Sequence, residues 1–473
     1  MNHEPAGPDR TFRSRRVVTR DGERPACVVV RGGLIAAVEP WDAGLAVTDE
    51  LGELALLPGL VDTHVHVNEP GRTDWEGFAT ATRAAAAGGI TTIVDMPLNS
   101  IPATTTAAAL REKVRAMAGK VHVDAGLWGG AVPGNTGELE GLAEAGALGF
   151  KCFLSPSGVD EFGHVSEADL REAMPVIARL GVPLLAHAED PALLKPLPAS
   201  TRRYTDWLAS RPPEAEASAI RMLARLAAEY GVHVHVVHVA SKAGVDAVCA
   251  GVPQLLHPRS RGGVLTAETC PHYLFFGGET IADGATLLKC APPIRGRDDR
   301  GALLDAVVRG RMDLIASDHS PAPPRLKGVA DGDFAHAWGG ISSLECSLGA
   351  TWSAIRPAHA GGERDHLEEL VRLMSAAPAR LAGLDARKGA IAPGLDADLV
   401  AFDPGAEWVV DASRLHQRHP VTPYAGRTLR GRVLTTWLRG EPVFRGGELL
   451  GEPRGLWQRR SNLGAVDPAR AFA

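Results

Sequence analysis

The chain has 473 residues, with 50 Lys+Arg against 56 Asp+Glu, a net charge of −6 at pH 7 and a pI near 6.3. That balance argues against a nucleic-acid or membrane-surface protein, which needs a basic face, and 45% hydrophobic with 22% charged residues excludes disorder. No run approaches the ~18 apolar residues of a membrane-spanning helix, and no apolar core follows Arg10, Arg13, Arg15 and Arg16, so a cytoplasmic protein without a secretory signal is expected.

In chain order, residues 16–57 read as short strands with turn signals, RVVTRDG and CVVVRGGLIAAVE, and 1–58 is assigned to a small β domain. Strand-like runs rich in Val, Ile and Thr then follow at 60–66, 90–96, 121–128, 148–154, 182–187, 232–239, 264–269 and 312–318. Helical stretches lie between them at 75–88, 107–118, 166–180, 214–230 and 299–310. Eight strands alternating with helices predict a parallel (β/α)8 TIM barrel over 59–388. A doubly wound open sheet is the alternative, but no GxGxxG turn follows the first strand. Residues 389–446 return to short strands, too few for a core of their own. The economical reading joins both ends into one small β-sandwich domain. Residues 447–473 are expected to be a loosely attached extension, and 193–213 and 319–332 long loops on the barrel face. Six cysteines with no CxxC pair suggest free thiols in a reducing compartment. Among the 50 basic residues only 8 are lysines.

His64 and His66 sit at the end of the first barrel strand. Side chains two apart on a strand point the same way, so two imidazoles reach one point at the C-terminal rim, where residues of this fold do chemistry. Metal ligation and simple strand capping both fit an HxH pair. His187, His238 and Asp318 close the fifth, sixth and eighth strands. Any one alone suits a structural role; together they place nitrogen and oxygen ligands on one rim. His233 and His235 have the opposite parity to His238 and are expected to face the helix layer. His122, His272 and His319 carry no comparable argument, and for His319 a place in the site and a surface role are equally open. Imidazole and carboxylate donors suit Zn2+ best, with Mn2+, Co2+ or Fe2+ accommodated. Lys151, inside the apolar strand GFKCFL, either snorkels to the barrel mouth or serves chemistry as a neutral amine.

The motifs GLVDTHVHVNEPGRTDWEG (59–77), MPLNS (96–100), GFKCFL (149–154), LLAHAED (184–190), VVHVASKAG (236–244), ETCPHY (268–273), KCAPPIR (289–295), ASDHSPAPP (316–324) and GAIAPGLDADLV (389–400) resemble the amidohydrolase superfamily, and within it the cyclic amidohydrolases. NEPGRTDWEG with MPLNS and SDHSPAPP is most similar to the allantoinases. The resemblance implies two divalent metal ions, the more buried one held by His64, His66 and Asp318 and the other by His187 and His238. It implies that Lys151, modified by CO2 to a carbamate, bridges both, and that Asp318 is the catalytic base and then acid. It further implies a small-molecule substrate, allantoin, whose polar groups meet Asn99, Cys290, Ala291, Ser320 and Gly340, and a homotetramer. Asn99 and Ser320 also read as turn formers, and Cys290 as loop-shaping. Dihydroorotases carry an arginine where Asn68 stands, which weakens that reading, although Arg72 could substitute. Hydantoinases often carry a tyrosine in the loop that here reads SPSGVDEFGH (155–164), with none.

Overall fold

The computed structural model describes residues 9–255, 264–359 and 366–460. Part of the expected C-terminal extension, 461–473, lies outside the described residues. Four strands open the chain: β1 (Arg10–Thr19), β2 (Gly22–Arg31), β3 (Leu34–Pro40) and β4 (Asp49–Pro58). Barrel strands follow: β5 (Leu60–Val65), β6 (Ile90–Asp95), β7 (Asp124–Leu127), β8 (Gly129–Gly130), β9 (Phe150–Phe153), β10 (Leu184–His187), β11 (His233–Val236), β12 (Val264–Thr269) and β13 (Leu314–Ile315). The chain then adds β14 (Leu399–Val409), β15 (Thr428–Leu438), β16 (Glu441–Arg445) and β17 (Glu448–Leu449).

The barrel strands pair in parallel, β5-β6-β7 in one run and β8 to β13 in another. Backbone hydrogen bonds join the runs. Gly129 N–H donates to Gly149 O at 2.9 Å, Leu148 N–H to Leu127 O at 2.9 Å, and His66 N–H to His319 O at 2.8 Å. The last bond closes the ring between the first and eighth strands, so β8 only continues β7 and the architecture is the expected eight-stranded α/β barrel. The strands β5, β6, β7, β9 and β10 are buried along their whole length, as strands covered on both faces must be.

Helices start and stop where local chemistry dictates. Ser166 and Asp169 form a reciprocal capping box on the helix Glu167–Leu180, and Gly181 ends it in the left-handed region. Pro213 opens the helix Pro213–Tyr230, where its missing N–H costs nothing, and Gly231 ends it.

The terminal strands form one continuous sheet in the order β17-β16-β15-β14-β4-β1-β2-β3. The two ends meet where β14 pairs antiparallel with β4, Leu399 opposite Pro58. A buried ionic cluster ties this sheet to the barrel. Lys388 Nζ lies 2.6 Å from Asp124, 2.7 Å from Asp396 and 2.6 Å from Asp398, and Arg439 adds a bond to Asp124 at 2.9 Å. The three surrounding carboxylates outweigh burial and raise the lysine above its ordinary range.

Two expectations are corrected. Residues 204–210 form a helix inside the supposed loop 193–213, because Tyr204 and Trp207 bury their rings and bond to Ile294 O and Cys290 O. The described part of the tail is firmly held. Gly455 N–H donates to Val121 O and Gln458 N–H to Ala125 O, both at 2.8 Å, and Trp457 bridges to Ala125 in parallel register. Glycine is required at 455, since a Cβ there would lie 2.0 Å from Val123 O.

Candidate metal centre

At the C-terminal ends of the barrel strands, the sequence-predicted residues converge. His64, His66, His187, His238 and Asp318 line a cavity of about 350 Å3, and so do Asn99, Cys290, Ala291, Ser320 and Gly340. His64 Nε2 lies 3.2 Å and His66 Nε2 3.6 Å from Asp318 Oδ1. His187 Nδ1 lies 3.0 Å from His238 Nε2. The His64 and His238 ring centroids are 5.4 Å apart, so the two groups adjoin.

Backbone geometry aims two of these side chains. Asp318 and His238 both sit at φ 44, a left-handed conformation that non-glycine residues adopt only at a cost. The kink at His238 overturns one expectation. β11 ends at Val236, so strand parity does not carry to His238, and His235 points into the barrel rather than at the helices. His235 Nε2 meets Glu268 Oε2 at 3.0 Å and its Nδ1 meets Thr266 Oγ1 at 2.8 Å.

Lys151 is fully buried, so it does not snorkel to the mouth. Its Nζ lies 4.6 Å from the Phe153 ring centroid and has no hydrogen-bond partner. Desolvation pulls its amine down to about 8. His66, His187 and His238 all feel its charge, which places it beside both histidine groups.

Carboxylates behind the histidines fix their tautomers, and these the motif reading missed. Glu268 Oε1 lies 2.5 Å from His64 Nδ1, and Glu189 Oε2 lies 2.7 Å from His187 Nε2. Arg211 in turn holds Glu189 at 2.5 Å. Burial raises both carboxyls, but the neighbouring imidazoles for Glu268, and Arg211 with His187 for Glu189, outweigh it and draw each down to about 2. An ionised carboxylate takes the ring N–H, leaving the opposite nitrogen bare: Nε2 of His64 and Nδ1 of His187. These are the nitrogens that face Asp318 and His238. Glu189 stands two residues beyond His187 in LLAHAED, a signal available in the sequence; Glu268 shares the inward face of β12 with Thr266.

Burial also works on the acids themselves. It raises Asp62 to about 6, although Asp62 accepts from His64 N–H and Ser317 N–H. For Asp318 burial is outweighed by His64 and His66, which hold its carboxyl far below the ordinary range. His319 is buried, its Nδ1 accepting from Ser343 N–H at 2.9 Å. His272 is buried with neither ring nitrogen bonded. Arg72 does not line the cavity; it pairs with Glu161 and donates to Asn99 O.

The donor set fits a divalent cation. With Nδ1 given to Glu268, His64 Nε2 faces the Asp318 carboxylate at 3.2 Å, a contact that requires positive charge between the two, carried by a proton or by a metal ion. His64, His66 and Asp318 offer donor atoms within 4.8 Å of one another. Nitrogen and oxygen donors of this kind suit Zn2+ and its first-row neighbours.

A family model, described as Amidohydrolase family, matches residues 55–443. The chain belongs to this family. Amidohydrolases known by sequence include an allantoinase of Streptomyces avermitilis, 50% identical over 449 residues, covering 94% of this chain and 97% of that one. An allantoinase of Arabidopsis thaliana is 41% identical over 457 residues, covering 92% and 88%. Among solved structures, an L-hydantoinase (dihydropyrimidinase) from Arthrobacter aurescens superposes with a TM-score of 0.86 at 30% identity, covering 95% of this chain and 99% of that one. The fold is thus that of the amidohydrolases. Among the described residues, no helix is long and apolar enough to cross a membrane.

Proposed function

We propose that this chain is an allantoinase, opening the hydantoin ring amide of allantoin to give allantoate. One observation carries the reading: four histidines and a depressed carboxylate line one cavity, with the unpartnered, buried Lys151 close enough to act on His66, His187 and His238, in a chain 50% identical to an allantoinase over 94% of its length. His64, His66 and Asp318 would hold one divalent ion and His187 with His238 the other. Lys151 would bridge them as a carbamate, its buried, partly neutral amine being the form that adds CO2. Such ions, Zn2+ by donor type, lower the pKa of water to about 7 and polarise a carbonyl oxygen.

The chain's own residues supply the rest. Asp318 is ionised at neutral pH and can accept a proton on its carboxylate; it then returns that proton to the departing ring nitrogen. Glu268 and Glu189 hold His64 and His187 in the tautomers that bare the cavity-facing nitrogens. The backbone at Cys290, Ala291 and Gly340, with Asn99 and Ser320, lines the space beside Asp318 and would orient the substrate's amide edges.

The structural likeness to an L-hydantoinase favours a second reading, dihydropyrimidinase or hydantoinase. The pairing of Arg72 with Glu161 argues against a dihydroorotase, which needs a free cation for the substrate carboxylate. A substrate panel on the metal-loaded protein decides. Turnover of allantoin above dihydrouracil and simple hydantoins is expected; the reverse preference refutes the allantoinase reading, and absence of turnover on every cyclic amide would point instead to a catalytically inactive scaffold relative.

A further inference from the structure

One wall of the cavity is the irregular segment Ala337–Gly340. A chain without ladder partners must still satisfy its buried carbonyls. Here two lysines do so. Lys289 Nζ donates to Ala337 O at 2.6 Å. Lys327 Nζ donates to Trp338 O at 2.9 Å and to Gly340 O at 2.5 Å. Both lysines are buried, at 7% and 4% exposure, and neither forms an ion pair with a carboxylate among the described residues. Unpaired buried charge is expensive, and burial draws Lys289 down to about 8 and Lys327 to about 7.

The backbone completes the fixture. Gly340 N–H donates to Lys289 O at 2.8 Å, and Trp338 N–H to Leu326 O at 2.7 Å. Gly340 has φ +108 and presses so closely on Ser320 that a Cβ would lie 2.4 Å from Ser320 O. Ser320 N–H donates to Ile341 O at 2.9 Å, two residues from Asp318. The wall is therefore registered against the strand end that carries the candidate base.

We propose that Lys289 and Lys327 are positioning residues, whose Nζ donors hold the Ala337–Gly340 wall against Ser320, beside Asp318, and so set how tightly the cavity binds its substrate. The proposal rests on reading this cavity as the substrate site. It accounts for lysine at both places. The Lys327 ammonium spreads its donors over a cone and reaches two carbonyls, whereas the planar guanidinium of arginine is larger and fork-shaped.

The test uses the full-length, metal-loaded protein with Lys289→Met and Lys327→Met. Each change leaves carbonyls of the wall unsatisfied. A rise in KM for allantoin of about tenfold, with kcat within about twofold and metal content unchanged, is expected. Hydrogen exchange at the Trp338 and Gly340 amides should accelerate while the barrel strands keep their protection. Should either Met variant fail to fold, the matching Lys→Gln, which keeps an N–H donor, should fold and shift KM and exchange in the same direction. Unchanged KM and exchange, or a loss confined to kcat or to metal, overturns the proposal. If the unsubstituted protein does not turn over allantoin, the functional reading fails, but the exchange measurement still decides whether the lysines fix the wall.

Discussion

Replacing Glu268 separates a ligand-orienting carboxylate from a merely structural one. Its two oxygens serve two imidazoles, His64 Nδ1 at 2.5 Å and His235 Nε2 at 3.0 Å. Glu268→Gln keeps the shape but offers one acceptor and one donor. If the amide oxygen faces His64, the amide N–H must donate to His235 Nε2. His235 can accept by moving its proton to Nδ1 and donating to Thr266 Oγ1, 2.8 Å away. The tautomer of His64 then survives, and only the carboxylate's charge is lost. Glu268→Ala loses both partners and frees the His64 ring. Partners of this kind are worth 10- to 100-fold in metal affinity. The structure therefore assigns about tenfold to Glu268→Gln and about a hundredfold to Glu268→Ala, or ~1.4 and ~2.7 kcal/mol. Competition of the apoprotein against a chelating dye measures both. The loss should concentrate in the site that holds His64. Equal losses from the two variants, or none from Glu268→Ala, would refute the reasoning.

Three further outcomes follow from named groups. Lys151→Ala should lose metal and turnover together, with partial recovery in short carboxylic acids; two metals per chain and full turnover would sink the carbamate assignment. Lys388→Met removes the cation shared by three buried carboxylates, leaving Arg439 on Asp124 and Arg387 on Asp396, and should destabilise the fold by ~3–5 kcal/mol, read by denaturant titration; a loss under 1 kcal/mol would show that the lysine is dispensable. Burial raises Glu216 from 4.5 to about 7 although it accepts from Ala240 N–H at 2.8 Å. Below about 4.5 it is protonated in both folded and unfolded chains and contributes nothing; between 4.5 and 7 the unfolded chain sheds its proton first, so stability falls as pH rises, by at most ~3 kcal/mol. Glu216→Gln should flatten that slope between pH 4.5 and 7, and an unaltered slope would assign it elsewhere.

Much of the site was legible because barrel geometry converts strand ends into a rim. His64 and His66 need only two-residue periodicity to share a face, and His187 needs only the end of β10, whereas Asp318 lies beyond β13 and is aimed by its left-handed turn. The failures have physical causes of the same kind. His235 was misread because parity holds only while the strand continues, and the left-handed turn at His238 ends it. Glu268 and Arg211 act through partners distant in sequence, 204 residues away for Glu268 and His64, and no local pattern announces such a pairing. The tail was misread because composition reports neither a bare glycine nor the groove that accepts it; Gly455 lies flat on Val123.

The scarcity of lysine acquires a structural meaning. With 8 lysines among 50 basic residues, the surface is arginine's, yet Lys113, Lys151, Lys289, Lys327 and Lys388 are all buried. Four of these five have evident partners. Lys113 bonds Asp95 at 2.6 Å and Met96 O at 3.0 Å, Lys388 is ringed by aspartates, and Lys289 and Lys327 hold the cavity wall. Each uses a compact ammonium where a planar fork would demand more space. Lys151 alone among the five has no hydrogen-bond partner. A buried amine gains nothing from remaining there unpaired. The proposed carbamate would supply the missing partners through chemistry that arginine, always protonated, cannot perform, at a position beside both histidine groups.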